Sequence, residues 1–170
     1  MSKRLTIALD AMGGDNAPEI VVEGAAMALV RFPEVKFILF GDKHRISPLL
    51  TKHGLPNSSA EIVHTNDAVS SEERPTIALR QGKNSSMQLA INAVNSGEAA
   101  GIVSAGNTGA LMILSRLLLG MLEDIDRPAI CSLLPNKKDF CIMLDLGANS
   151  TVVAKNLFQF ALMGYSYHTL

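Results

Sequence analysis

Polar residues that could hold an anion follow three predicted strands of this 170-residue chain. They occupy residues 10–16, 104–110 and 145–150, and each segment combines glycine with aspartate, asparagine or serine. The middle segment lies between a short apolar strand and a strongly apolar helix that begins near Thr108. A glycine turn followed by a helix N-terminus leaves amide N–H groups and the positive end of the helix dipole without internal partners. This pattern predicts an oxoanion site.

The order of strands and helices predicts that the three turns lie together. Residues 5–9 and 36–40 are typical of strands, and residues 61–65 predict a third, weaker one. Helical spacing of apolar residues follows the first strand. Such an alternation is typical of an α/β fold with a mostly parallel sheet, in which the carboxyl ends of the strands meet at one edge. We therefore expect one cleft formed by all three turns, within a single α/β domain spanning residues 1–170.

The alternation fails in the last third of the chain. Strand-like runs at residues 128–134 and 141–146 are separated only by a polar turn, which predicts an antiparallel hairpin. A final helix is expected from Ala154 onward. Residues 66–83 are polar and contain Pro75, so we interpret them as a functional or mobile loop with a short helical turn near residues 77–80.

Each candidate residue also has a structural explanation. Ser104 and Asn107 could cap the helix that begins near Thr108 instead of binding a ligand. Asp10 and Asp145 stand at strand ends and could simply accept hydrogen bonds from their own turns. Both interpretations stay open at the level of sequence.

Helix caps are predicted at two further places. Asp15 or Asn16 could cap the first helix, with Glu19 completing a capping box. Ser85 precedes a helical stripe and stands three residues before Gln88, which predicts another capping box. Arg80 and Lys83 lie just before that helix, where a cation could neutralise a bound anion or remain solvated.

Composition and charge narrow the class of protein. Hydrophobic residues make up 48% and charged residues 18%, which is typical of a globular domain, and the formal net charge of -1 gives no reason to expect a nucleic-acid partner. Cys131 and Cys141 lack a CxxC spacing and are interpreted as buried, reduced thiols. The first apolar run is too short for a signal peptide, and residues 110–122 are too few to cross a bilayer, so we expect a cytoplasmic protein.

Motifs for metals and nucleotide cofactors are not found. Residues 101–106 have the glycine spacing of a P-loop, but Asn107 and Thr108 replace its Lys-Ser/Thr pair. No GxGxxG follows a strand, and the four histidines have unrelated spacings, so no cofactor and no metal are predicted. No nucleophile and base pair can be recognised either. This favours a reaction in which a substrate such as phosphate supplies the nucleophile while the protein positions it.

Five ordered motifs, at residues 10–18, 85–87, 104–110, 126–128 and 144–149, resemble those of the bacterial phosphate acyltransferases of phospholipid synthesis. The resemblance implies acyl transfer from acyl carrier protein to orthophosphate, giving an acyl phosphate for a membrane acyltransferase. It also implies a three-layer α/β/α fold like that of phosphotransacetylases and isocitrate or isopropylmalate dehydrogenases. A homodimer, a cytoplasmic location with membrane association of the full-length protein, and no need for metal or nicotinamide are implied as well.

The resemblance suggests a site composed of all three turns. Phosphate would bind to amides of the Gly106 and Gly147 turns and attack the thioester carbonyl. The residues expected to orient phosphate or a water molecule and to act in catalysis are Asp10, Asn107, Asp145 and Asn149. Those expected to bind phosphate or substrate are Gly13, Gly14, Ser85, Ser86, Ser104, Gly106, Thr108, Gly109, Gly147 and Ala148.

Members of this family are considerably longer than 170 residues, so the sequence is expected to be an N-terminal half and the fold incomplete. Two alternatives remain beside the acyltransferase. One is an inactive fragment that only binds phosphate, the carrier protein or a partner chain. The other is a phosphotransacetylase that uses acyl-CoA, which the Asp10-Ala-Met-Gly-Gly-Asp15 motif makes less favourable.

Overall fold

A computed structural model describes residues 4–72 and 83–169. The chain divides into two compact units, residues 1–119 and residues 120–170. Each unit is described by itself. The prediction of a single domain stays a prediction.

Unit 1 is built on a parallel sheet of four strands in the order β3-β2-β1-β4. Its strands and helices, in chain order, are β1 (Thr6–Asp10), α1 (Glu19–Arg31), β2 (Lys36–Gly41), α2 (Lys43–Lys52), β3 (Ala60–His64), α3 (Ser86–Asn95), β4 (Gly101–Val103) and α4 (Thr108–Leu119). Leu9 of β1 lies beside Leu39 and Val103 in the two neighbouring strands. Because all four strands run in one direction, their carboxyl ends meet at one edge of the sheet, as the sequence predicts.

Helices cover both faces of this sheet. Successive residues of a strand point to opposite faces, and in β1 the side chain of Leu9 packs with Val22 of α1 and Ile46 of α2. The preceding residue, Ala8, belongs to a second buried cluster with Ala90 of α3. Unit 1 therefore has the predicted α/β/α layers.

Unit 2 contains an antiparallel pair and one helix. The strands β5 (Ser132–Pro135) and β6 (Phe140–Met143) form a hairpin, and α5 (Ala154–His168) follows them. The hairpin and the start of the last helix at Ala154 are confirmed. The interpretation of Cys131 and Cys141 as buried thiols is wrong, because both are exposed: Cys131 directly precedes β5 and Cys141 lies in β6, in a sheet of only two strands. In the described part of the chain, no helix combines the length and apolar character needed to span a bilayer.

Of the predicted helix caps, those of α1 are wrong and that of α3 is confirmed. The residue that precedes α1 is Pro18, and no side chain caps this helix, so the predicted caps at Asp15 and Asn16 are wrong. The cap of α3 is confirmed, since Ser85 Oγ accepts a hydrogen bond of 3.3 Å from the amide of Gln88. The reciprocal half of a capping box is not formed, because Gln88 Oε1 is buried without a partner among the described residues.

Candidate anion-binding site

The carboxyl group of Asp10 joins three elements of unit 1. Asp10 ends β1 and is only 2% exposed. Its Oδ1 accepts a hydrogen bond of 2.5 Å from Ser86 Oγ, at the start of α3, and its Oδ2 accepts one of 2.7 Å from Ser104 Oγ, just after β4. Both serine protons therefore point toward Asp10, and the two hydroxyl groups are held in fixed orientations.

Glycines allow the first two predicted turns to pack against each other. A Cβ atom at Gly106 would lie 3.1 Å from Cα of Gly13. Gly14 has a φ of +104°, and a Cβ atom there would lie 3.0 Å from the carbonyl oxygen of Ala105. Since Cβ atoms rarely come so close to backbone atoms, this contact requires glycine on both sides. The structure thus brings these two turns together at the carboxyl edge of the sheet.

The second turn uses several of its polar groups internally. Ser104 Oγ accepts a hydrogen bond of 3.1 Å from the Gly106 amide, and Asn107 Oδ1 caps α4 by accepting one of 3.0 Å from the Ala110 amide. The Gly106 amide, expected from the sequence to hold phosphate, is therefore engaged. The amides of Thr108 and Gly109 begin α4 and donate to no backbone carbonyl within the described residues. They are the donors that this turn offers to an anion, at the positive end of the helix dipole.

A loop that follows β3 connects the two turns. Asn107 Nδ2 donates to the carbonyl oxygens of Ser70 and Ser71, at 3.3 and 3.2 Å. Ser71 Oγ in turn donates to Asp15 Oδ1 at 3.2 Å. Sequence reasoning missed Ser70 and Ser71, whose only signal was their place in the polar segment 66–83. The predicted helical turn near residues 77–80, with Arg80, lies outside the described residues.

The third turn belongs to unit 2, where Asp145 is its central residue. Its carboxyl group accepts hydrogen bonds from the amides of Ile130 (3.0 Å), Ala148 (3.2 Å) and Asn149 (2.7 Å), and from Asn149 Nδ2 (2.9 Å). Burial opposes ionisation, but these hydrogen bonds outweigh it and hold the pKa of Asp145 below its usual range. Asp145 is thus an ionised acceptor whose oxygens are already used by its own turn.

The other groups of the third turn are arranged around Asp145. Asn149 Nδ2 also donates to the Pro128 carbonyl at 2.8 Å, which ties the turn to the segment before β5. Gly147 has a φ of +79°, a conformation that favours glycine. The amide of Ala148, expected to contact phosphate, donates to Asp145 instead. A shared site of this turn with the first two stays a prediction.

No group of three or more His, Cys, Asp or Glu side chains is placed to hold a metal ion in residues 4–72 and 83–169.

The fold can be compared with that of solved structures. Solved structures that it resembles include a phosphotransacetylase from Streptococcus pyogenes, with a TM-score of 0.70 and 19% identity over 95% of this chain and 53% of that one. The EutD phosphotransacetylase from Staphylococcus aureus gives a TM-score of 0.62 and 18% identity over 91% of this chain and 49% of that one. At such low identity these similarities establish the fold alone. The predicted phosphotransacetylase-like α/β fold is confirmed.

Sequence comparison then gives the family. The profile of the family described as fatty acid synthesis protein matches residues 5–169, and the chain belongs to that family. A phosphate acyltransferase of Paramagnetospirillum magneticum is 53% identical over 98% of this chain, and one of Rhodospirillum rubrum is 51% identical over 96%. The chain spans about half the length of these curated relatives, 48% and 47% respectively. The resemblance to phosphate acyltransferases is therefore confirmed.

Proposed function

We propose that this chain corresponds to about half of an acyltransferase that moves a fatty acyl group from acyl carrier protein to orthophosphate. The product is an acyl phosphate, used in bacterial phospholipid synthesis. The curated relatives named phosphate acyltransferase and the family of fatty acid synthesis proteins support this proposal. The observation that carries it is the Asp10 network, which holds two glycine turns beside the N-terminus of α4.

Phosphate binds, in this proposal, to the N-terminal amides of α4. The Thr108 and Gly109 amides and the helix dipole attract the anion, and the Thr108 hydroxyl is close enough in sequence to contribute a further donor. Asp10 does not touch phosphate and acts as a positioning residue. It fixes Ser104 and Ser86, and Ser104 in turn fixes the Gly106 turn through the Gly106 amide.

The transfer itself needs no nucleophile from the protein. A phosphate oxygen attacks the thioester carbonyl carbon, so that a C–O bond forms while the C–S bond breaks, and the carrier thiolate leaves and takes up a proton. Amide donors that face the developing oxyanion stabilise the transition state, and the loss of one such donor typically costs about 3 kcal/mol of barrier.

The proposal is tested with purified chain 1–170, acyl carrier protein loaded with a fatty acid, and orthophosphate. Phosphate-dependent loss of thioester, with formation of acyl phosphate, is the expected result. The variant Gly106→Val should lose this activity because a side chain there collides with the backbone of Gly13. Asn107→Ala should weaken it by removing the cap of α4 and the link to Ser71. Unchanged acyl phosphate formation in both variants would remove this turn from the site, and equal use of acyl-CoA would favour a phosphotransacetylase.

A second candidate is a binding fragment without turnover. It is favoured by one observation, the coverage of only about half the length of the curated relatives. Isothermal titration with orthophosphate separates the two candidates. Binding of phosphate without any loss of acyl thioester would show that the chain is a binding fragment, whereas turnover would exclude that candidate.

A further inference from the structure

Unit 1 carries an apolar groove between α1 and the strands β1, β2 and β4. A cavity of about 350 Å³ lies there, lined by Leu9, Phe37 and Val103 from the sheet and by one side of α1. Leu9 and Val103 are partners in the sheet, so their side chains point to the same face, which is the face that α1 covers. Gly24 of α1 leaves room, because no atom lies within 4 Å of the position that a Cβ atom would take there. We call this feature the apolar groove.

Large apolar side chains on the rim of the apolar groove are exposed to solvent. Ile20 of α1 is 52% exposed and Val103 of β4 is 58% exposed. Single exposed apolar residues are ordinary on a protein surface. Here they continue the apolar lining of an open cavity, and such a continuous surface indicates a place that another molecule covers.

The strand β4 borders the apolar groove with an open edge. It is the last strand of its sheet, and within the described residues it pairs with β1 only. The amide of Ala100 donates to the Thr6 carbonyl, so the alternation along a strand directs the amides of Gly101 and Val103 to the other side. Sheet edges are usually protected by charged residues, proline or a covering element, and the Gly-Ile-Val sequence of β4 has neither charge nor proline. This edge therefore offers main-chain hydrogen bonds to an added strand.

We propose that the apolar groove and the β4 edge together seat a second polypeptide, equivalent to the half of the curated relatives that this chain does not span. The argument for this occupant is length, since the chain covers only 48% and 47% of two relatives that are about 50% identical to it. A strand added to β4, together with a helix laid beside α1, would satisfy both the open amides and the exposed apolar side chains. The inference concerns association and does not depend on the proposed acyl transfer.

The apolar groove also reaches the candidate anion site. Asp10 and Ala105, which follow Leu9 and Val103 at the carboxyl ends of β1 and β4, belong to its lining. Ala105 is the residue whose carbonyl oxygen lies close to Gly14. A polypeptide seated in the groove would therefore border the two glycine turns and contribute to the surroundings of the site.

The test co-expresses tagged chain 1–170 with an untagged polypeptide that holds the unspanned half of the Paramagnetospirillum magneticum relative. The wild-type chain is expected to retain this polypeptide through purification, and sedimentation equilibrium of the complex gives the Kd. Val103→Lys should raise the Kd at least about tenfold or abolish retention, because it places a charge at the strand edge and in the apolar groove. Val30→Lys is the matched control, since Val30 of α1 is 85% exposed and lies outside the groove, and it should change the Kd less than about twofold.

Four results would overturn the proposal. They are no retention of the second polypeptide by the wild-type chain, an unchanged Kd in Val103→Lys, an equal loss in both variants, and self-association of chain 1–170 that Val103→Lys abolishes. In the last case a second copy of the chain occupies the groove. Both variants are expected to fold, because each replaces a largely exposed side chain, and circular dichroism checks this. Retention that depends on Val103 without turnover of acyl thioester would uphold the groove as a docking surface and refute the proposed activity.

Discussion

Replacing Gly13 with alanine should damage the site through a single added methyl group. The new Cβ atom would lie 2.8 Å from Ser104 Oγ and even closer to Asp10 Oδ2. Gly13 does not have a positive φ, so its backbone conformation suits alanine and the effect comes from the collision alone. To relieve it, Asp10 or Ser104 must move, and their hydrogen bond of 2.7 Å is then lost or lengthened.

The collision and the disturbed hydrogen bond together set the expected loss of stability. Overpacking of a tight site typically costs about 1–3 kcal/mol. A disturbed hydrogen bond to a buried carboxyl group adds about 1–2 kcal/mol, since the second bond, from Ser86, is retained. We expect the free energy of unfolding of unit 1 to fall by about 2–5 kcal/mol. Gly24→Ala is the matched control, because no atom lies within 4 Å of its added Cβ and alanine favours the helix by up to about 1 kcal/mol.

The assay must report on unit 1. The chain has no tryptophan, and its two tyrosines, Tyr165 and Tyr167, are both in α5, so intrinsic fluorescence would follow unit 2 instead. Native-state hydrogen exchange of the β1 and β4 amides measures the unfolding of the correct unit. If the unfolding free energy obtained from exchange in Gly13→Ala stays within about 0.5 kcal/mol of the wild-type value, the proposed close approach of the glycine to Asp10 and Ser104 is refuted.

Three further substitutions test other contacts of the structure. Asp10→Asn replaces one acceptor oxygen by a donor group, so the free energy of unfolding measured by exchange in β1 should fall by about 1–3 kcal/mol, and no change would contradict the double acceptor role. Ser85→Ala removes the cap of α3 and should cost about 1 kcal/mol in chemical denaturation followed by circular dichroism, whereas Ser96→Ala, beyond the other end of α3, should cost less. The folded-state pKa of Asp145 is lowered, so its stabilising effect is present above its ordinary value of 3.8 and is lost as the pH falls through the lower folded value. Asp145→Asn should therefore destabilise unit 2 at neutral pH and flatten the decline of stability in acid, as followed by tyrosine fluorescence; an unaltered acid profile would contradict this reasoning.

Much of the sheet was predictable because its signals are local. Residues 5–9 and 36–40 are apolar runs flanked by charged residues or glycine, and the structure has β1 and β2 within one residue of those limits. The hairpin was predictable for a similar reason, since the polar turn at residues 136–139 leaves no room for a crossover helix. The cap at Ser85 also depends on neighbours in sequence alone.

The centre of the site was not predictable in this way. Asp10, Ser86 and Ser104 were each candidates, but their mutual hydrogen bonds join positions 76 and 94 residues apart. No periodic pattern in the sequence predicts hydrogen bonds between residues so far apart. The same limit applies to Asn107, whose side chain binds the loop at Ser70 and Ser71 as well as capping α4.

The buried carboxyl group of Asp10 links the maturation of the site to that of the sheet. Its two serine partners come from segments made much later during synthesis, and the second of them arrives only after β4 has left the ribosome. Early collapse of β1 and β2 alone would bury the Asp10 carboxyl group without its two serine donors, which is unfavourable. The anion site proposed above would therefore form only once all four strands of the sheet are in place.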